Sequence, residues 1–157
     1  FLDEEGQYML LEFPSDDVPA YTRDMVFDLM QRGITPIVVH PERNKKILEE
    51  PTILQGLIEQ GCLVQITASS YMGTFGKKIE EMSRKFIEAG QCACFASDAH
   101  DLPKRQYQYS EALKKLSKEF GSDLAQQYQD NARALVNGDN VQLDWRPLGK
   151  KKKFWLF

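Results

Sequence analysis

The chain has 157 residues, 42% of them apolar and 27% charged, with a net charge of −3. That length suits one compact domain or part of a larger one. The charge balance argues against a nucleic-acid binder driven by excess positive charge, and no apolar run approaches the ~18 residues of a membrane span.

The opening residues, FLDEEGQYML, lack a basic region and a cleavage-like site, so they do not read as a signal peptide. No initiator Met is present. The chain therefore reads as processed, or as starting partway through a longer protein. Four short apolar runs have strand length: residues 8–13 (YMLLEF), 34–39 (ITPIVV), 62–67 (CLVQIT) and 92–97 (CACFAS). Their starts are 26, 28 and 30 residues apart.

Helical spacing fills the intervals. Residues 18–32 place Val18, Tyr21, Met25, Phe27 and Leu29 among polar neighbours, and Gly33 closes the segment. Residues 44–60 carry Ile47, Leu48, Ile53, Leu54, Leu57 and Ile58, interrupted at Pro51 and closed by Gly61. Residues 77–89 carry Ile79, Met82, Phe86 and Ile87, closed by Gly90. Strands alternating with helices predict an α/β fold with a parallel sheet. Two further helices are predicted over residues 109–120 and 122–136, with Ser122 as an N-cap and Asn131 as a second cap. Residues 1–146 read as one domain and 147–157 as a basic, aromatic tail, within a polar stretch that already begins at Trp145. Its four lysines could meet anionic lipid; the simpler reading is a solvated tail whose aromatics dock on protein. Four βα units do not close a barrel, which takes roughly 250 residues.

Cys62, Cys92 and Cys94 all sit in apolar stretches and read as buried free thiols in a reducing compartment. Cys-x-Cys is a poor zinc spacing. No Cys has an Arg six positions later, so the loop of a cysteine-dependent phosphatase is absent.

In parallel α/β folds, chemistry gathers at the carboxyl ends of the strands. Those ends carry Glu12 in LLEFP, His40 in VVHPERN, Thr67 before ASSYMGTFG, and Asp98 with His100 in ASDAH. Either histidine alone would more often be structural, and Glu12 alone a solvated rim residue. Together on one rim, Glu12, His40, Asp98 and His100 make a donor set for Mn, Fe or Zn. A Glu12 buried on its strand would need a cation or a donor to meet it. Arg43 and Arg105 follow closely and offer planar forks suited to phosphate oxygens; ordinary pairing with Glu42 or Asp101 is the plainer alternative. The loop YMGTFGKK is not a P-loop. Tyr71 and Phe75 in it could flank a substrate ring. Ser69 and Ser70 have no adjacent His, which gives a hydrolase triad little support.

The strings LLEFP, GITPIVVHPERN, LVQITASSYMGTFG and FASDAHDLPKR, in this order, resemble the polymerase and histidinol phosphatase (PHP) superfamily. Within it they are similar to the manganese-dependent protein-tyrosine phosphatases of bacterial capsule and exopolysaccharide operons. The resemblance continues through NARALVNG to the lysine-rich end. It implies part of a distorted (β/α)7-type barrel without its N-terminal strands, whose intact form holds up to three metal ions. Mn2+ is the expected metal, with Fe and Zn as alternatives. Glu12 would be a bridging ligand, and His40, Asp98 and His100 further ligands. Arg43 and Arg105 would hold the phosphate.

The implied reaction is attack of a metal-bridged hydroxide on a phosphotyrosine ester, with no phosphoenzyme. The implied substrate is a cytoplasmic tyrosine kinase of the polysaccharide operon. The implied place is the cytoplasm, at the inner membrane face through that kinase. The family's opening His-x-His strand has no counterpart here. Exposed edges would then favour homo-oligomers. Rival readings are another PHP phosphoesterase, such as a histidinol-phosphate phosphatase or a nuclease, an inactive fragment serving only as a binding module, and a purely structural α/β fragment.

Overall fold

The computed structural model describes residues 1–99 and 107–149. The elements run β1 (Tyr8–Leu11), α1 (Thr22–Gln31), β2 (Thr35–Val39), α2 (Lys45–Glu49), α3 (Thr52–Glu59), β3 (Leu63–Thr67), α4 (Ala68–Tyr71), α5 (Lys77–Glu88), β4 (Cys94–Ala96), α6 (Tyr109–Phe120) and α7 (Ser122–Asn137). The four strands form one sheet in the order β1-β2-β3-β4. Every neighbouring pair is parallel, so all four carboxyl ends open on the same side.

Side chains alternate across the sheet. Leu11, Val38, Val64, Ile66 and Phe95 face the larger core, where Val26, Leu54, Leu57 and Phe86 from the helices pack on them. Tyr8, Ile37, Leu63 and Cys94 face the other way, under Leu135 and Val141. That cover stops short. Towards the carboxyl ends the second face shows Leu10, Val39, Gln65 and Ala96 to a cleft. The outer side of β4 is closed by α7, whose Asn131 side chain donates to the Ala93 carbonyl at 2.8 Å.

Several expectations shift. The helix expected from residue 18 begins at Thr22 and buries Val26, while Tyr21 and Phe27 are exposed. Positions 22 and 26 are one turn apart and set the inward face, so the flanking aromatics turn to solvent. The interruption read at Pro51 does divide residues 44–60 into two helices, because proline lacks the N–H that would continue the first. Residues 68–71, which include the Tyr71 that opens the loop read as YMGTFGKK, form the short α4. Ser122 is the first residue of α7 and not its cap; Gly121 precedes the helix, with a left-handed φ of 103°. Asn131 lies inside α7 and caps nothing.

The polar stretch read from Trp145 instead starts as a strap. Trp145 and Leu148 pack on the larger core. The Arg146 N–H donates to the Ala89 carbonyl at 2.8 Å. Gly90 has φ 70° beside this strap, and a Cβ there would sit 2.2 Å from the Asp144 carbonyl oxygen, so only glycine fits. The tail beyond residue 149 lies outside the described residues.

Asn44 ties the loop after β1 to the turn after β2. Its Oδ1 accepts from the Ile47 N–H at 3.0 Å and caps α2. Its Nδ2 donates to the carbonyls of Pro14 at 2.8 Å and Asp17 at 2.9 Å. Asn44→Ala removes all three bonds from a buried site and is expected to cost about 2–4 kcal/mol in chemical denaturation. Asn44→Asp keeps the cap but sets a carboxylate against two carbonyls, and is expected to recover less than half of that loss. An Asn44→Ala effect within about 0.5 kcal/mol of zero, the range of ordinary surface changes, would contradict this role.

Candidate active site

The chain leaves β2 abruptly. His40 adopts φ 39°, ψ 47°, and a 3-10 turn over Pro41–Arg43 follows at once. Pro41 pre-sets the turn by fixing its own φ. The His40 N–H donates to the Gln65 carbonyl of β3 at 2.8 Å, which fixes where the imidazole leaves the sheet. Asp98, just past β4, has φ 44°. Among the described residues, His40 and Asp98 are the non-glycine positions with positive φ. His and Asp tolerate this conformation better than most residues, at a cost on the order of 1–3 kcal/mol.

Glu12, His40, Arg43 and Asp98 all line one cleft of about 520 Å3, with Phe13, Ser15, Asn44 and Thr67. They meet in two pairs. Glu12 Oε1 lies 3.2 Å from His40 Nε2. The Arg43 guanidinium donates to Asp98 Oδ2 at 2.6 Å, and both of these side chains are largely buried. Phe75 lies under the guanidinium, 5.2 Å from ring centroid to Cζ, in a cation–π contact.

Burial, then the charge of Arg43, holds the His40 imidazole below its ordinary value, against the opposing pull of Glu12 and Asp98. The imidazole is therefore neutral near pH 7, the form that ligates metals. Glu12 is not buried as expected. Its side chain is 71% exposed, because β1 has no described strand on its outer side, so it carries little burial cost. Arg43 pairs with Asp98 and not with the adjacent Glu42.

Tyr71 does not flank the cleft. It is fully buried and stacks on Phe95 at 5.5 Å. Ser69 and Ser70 are also buried. His100 and Arg105 lie outside the described residues. Among the described residues, no group of three His, Cys, Asp or Glu side chains converges enough to hold a metal ion. The Glu12–His40 pair is a neutral imidazole beside a carboxylate, and fits part of the shell of Mn, Fe or Zn.

Sequence reasoning missed Glu42. Its side chain is fully buried beneath the turn, and Oε1 accepts the Thr67 N–H at 3.1 Å. Neither Oε2 nor the nearby Ser70 hydroxyl completes a hydrogen bond among the described residues. Burial pushes the Glu42 carboxyl up to about 7, against the lesser pull of Ser70, the Thr67 N–H and Arg43. The signal in sequence was an acid between Pro and Arg in a turn this tight.

The chain has recognisable relatives. A family model described as capsular polysaccharide synthesis, CpsB/CapC, matches residues 3–137. The tyrosine-protein phosphatase YwqE of Bacillus subtilis (strain 168) is 39% identical over 154 residues, 98% of this chain and 61% of that protein. CapC of Staphylococcus aureus is 33% identical over 152 residues, 97% of this chain and 60% of that protein. The fold matches, with a TM-score of 0.88 and 38% identity, a chain from the crystal structures of YwqE from Bacillus subtilis and CpsB from Streptococcus pneumoniae, described as unique metal-dependent tyrosine phosphatases. That match covers 94% of this chain and 60% of the other. The chain thus spans about 60% of the length of these relatives.

The raised Glu42 pKa has a consequence for stability. The folded protein keeps this proton up to about pH 7, whereas the unfolded chain releases it near the ordinary 4.5. Between those values the folded state binds more protons, so the Glu42 contribution is fully present below pH 4.5 and declines as pH rises to 7. Glu42→Gln is expected to remove this decline from the pH profile of unfolding free energy. An unchanged slope across that window would contradict it.

Proposed function

The chain belongs to the CpsB/CapC family of capsular polysaccharide synthesis, and on that premise we propose that it is part of a metal-dependent protein-tyrosine phosphatase. The cleft at the carboxyl ends of β1, β2 and β4 is its catalytic centre. One observation carries the reading: an arginine fork, held by Asp98 and Phe75, opens on the same cleft as a neutral His40 and Glu12.

Glu12 and His40 would hold a metal ion as adjacent donors, with His100 and Asp98 Oδ1 completing the shell while Asp98 Oδ2 keeps Arg43. Mn2+ is the metal proposed; Fe and Zn accept the same donors. When bound, the metal supplies a Lewis acid that makes water a better nucleophile near neutral pH. Arg43 binds phosphoryl oxygens. Its guanidinium is fixed in advance by Asp98 at 2.6 Å and by the Phe75 face, so little ordering is left to substrate binding. Arg105 serves as the second phosphate ligand. Phe75 serves the site through its contact with the Arg43 guanidinium and does not itself line the cleft.

The three cysteines take no part. All are buried and free. Burial pushes Cys62 up to about 12 and Cys94 up to about 11, and Cys92 higher still, so none supplies a thiolate nucleophile. The substrate proposed is phosphotyrosine on a cytoplasmic tyrosine kinase that governs capsule or exopolysaccharide synthesis. Among the described residues, no helix is long and apolar enough to cross a membrane.

The test is hydrolysis of a phosphotyrosyl peptide by the full-length protein. Chelation followed by dialysis is expected to abolish turnover, and added Mn2+ to restore it. Thiol alkylation of the folded protein is expected to leave it intact. Arg43→Ala is expected to lower kcat/KM by about 10²–10³-fold, the usual effect of losing a charge-stabilising donor. Full activity after metal removal, or preference for histidinol phosphate over the peptide, would overturn the assignment.

A further inference from the structure

Glu42 has no role in the mechanism above, yet it is among the most completely enclosed side chains of the described residues. It sits between the two residues that matter most on this turn, two positions after His40 and one before Arg43. The turn itself is short and tightly bonded. Arg43 donates its N–H to the His40 carbonyl at 3.1 Å, and Asn44 donates to the Pro41 carbonyl at 3.1 Å. Glu42 points inward from it and reaches across to β3, where Oε1 accepts the Thr67 N–H at 3.1 Å. Thr67 is the last residue of β3, the point at which the strand gives way to α4.

We propose that Glu42 is the positioning residue for the phosphate-binding arginine, fixing the turn that carries Arg43 to the end of β3 through the Thr67 N–H. The inference rests on the phosphate role of Arg43. Its physical basis is geometric. A 3-10 turn is a weak element with poor hydrogen-bond geometry, and needs outside support. Without Glu42, the Thr67 N–H would be a buried donor without an acceptor, which the turn would move to relieve. Arg43 would move with it, and a fork displaced by an ångström no longer matches phosphate oxygens. Glu42 is fully enclosed and does not line the cleft, whereas Arg43 does, so its influence passes through Arg43.

The experiment is competitive inhibition by inorganic phosphate, measured on the metal-loaded full-length protein with four variants. Arg43→Ala tests the premise and is expected to raise the phosphate Ki at least tenfold. Glu42→Leu fills the same buried space without an acceptor, and is expected to raise Ki about tenfold with kcat less affected. Glu42→Gln restores an acceptor for Thr67 and is expected to bring Ki within about threefold of the parent. In the double variant Arg43→Ala, Glu42→Leu, the Leu effect is expected to vanish, because its route is gone.

If Arg43→Ala raises Ki but Glu42→Leu does not, or if the two effects add in full, the positioning role is overturned while the phosphatase reading stands. If Arg43→Ala leaves Ki unchanged, the phosphate role of Arg43 falls, and this proposal with it. Should Glu42→Leu fail to fold, amide hydrogen exchange of Thr67 decides. Strong protection in the parent and in Glu42→Gln supports the clamp, and exchange at the rate of an exposed loop overturns it.

Discussion

Everything at the candidate site hangs from the turn that follows β2. Within six residues, the chain leaves the sheet at His40, reverses through Pro41–Arg43, and starts a new helix at Lys45. Such a reversal needs a residue in the left-handed region and partners for each backbone group it frees. His40 supplies the first, at φ 39°. The Gln65 carbonyl of β3 accepts the His40 N–H, the carbonyls of His40 and Pro41 accept the N–H groups of Arg43 and Asn44, and the Asn44 side chain accepts the Ile47 N–H of the helix that follows. The outcome is an imidazole and a guanidinium on one short segment, both aimed into the same cleft.

The parallel sheet explains why the other parts arrive there. Strands running in one direction bring their carboxyl ends to one rim, so Glu12 and Asp98 come to the cleft from opposite edges of the sheet. Alternation decides which side chains show. Leu10, Val39, Gln65 and Ala96 form the floor because Leu135 and Val141 cover only the other end of that face. Electrostatics then sorts the four groups. The most exposed, Glu12, meets a neutral His40, while the two largely buried ones, Arg43 and Asp98, meet as an ion pair. An arginine buried with its carboxylate partner is costly to leave alone, which explains why this pair is short and the first is looser.

Much of this was legible in the sequence. Strand-length apolar runs at near-equal spacing led to four parallel strands, and the polar residues at or just past their carboxyl ends led to Glu12, His40 and Asp98. The motif around HPERN pointed to Arg43 as well. Other features were not legible, for physical reasons. The periodicity of residues 18–32 suggested Tyr21 and Phe27 as packing residues, yet the face is set by Thr22 and Val26. Glu42 looked like a surface acid because its acceptor role depends on Thr67, 25 residues away in the chain. Pairing of Arg43 with Asp98 spans 55 residues and no local pattern encodes it.

The central claim is that His40 and its neighbours at this rim form a metal site. The sequence contains two histidines, His40 and His100, and replacing each in turn picks out its imidazole signal in an NMR spectrum. Titration of the full-length protein with Mn2+, with His40→Gln and His100→Gln variants to assign the signals, tests the claim at the atoms concerned. The account expects the His40 signal to broaden away well before one equivalent, the signal of a distant aromatic such as Phe27 to stay sharp, and the effect to weaken in Asp98→Asn. A His40 signal that stays sharp at excess Mn2+ would contradict it.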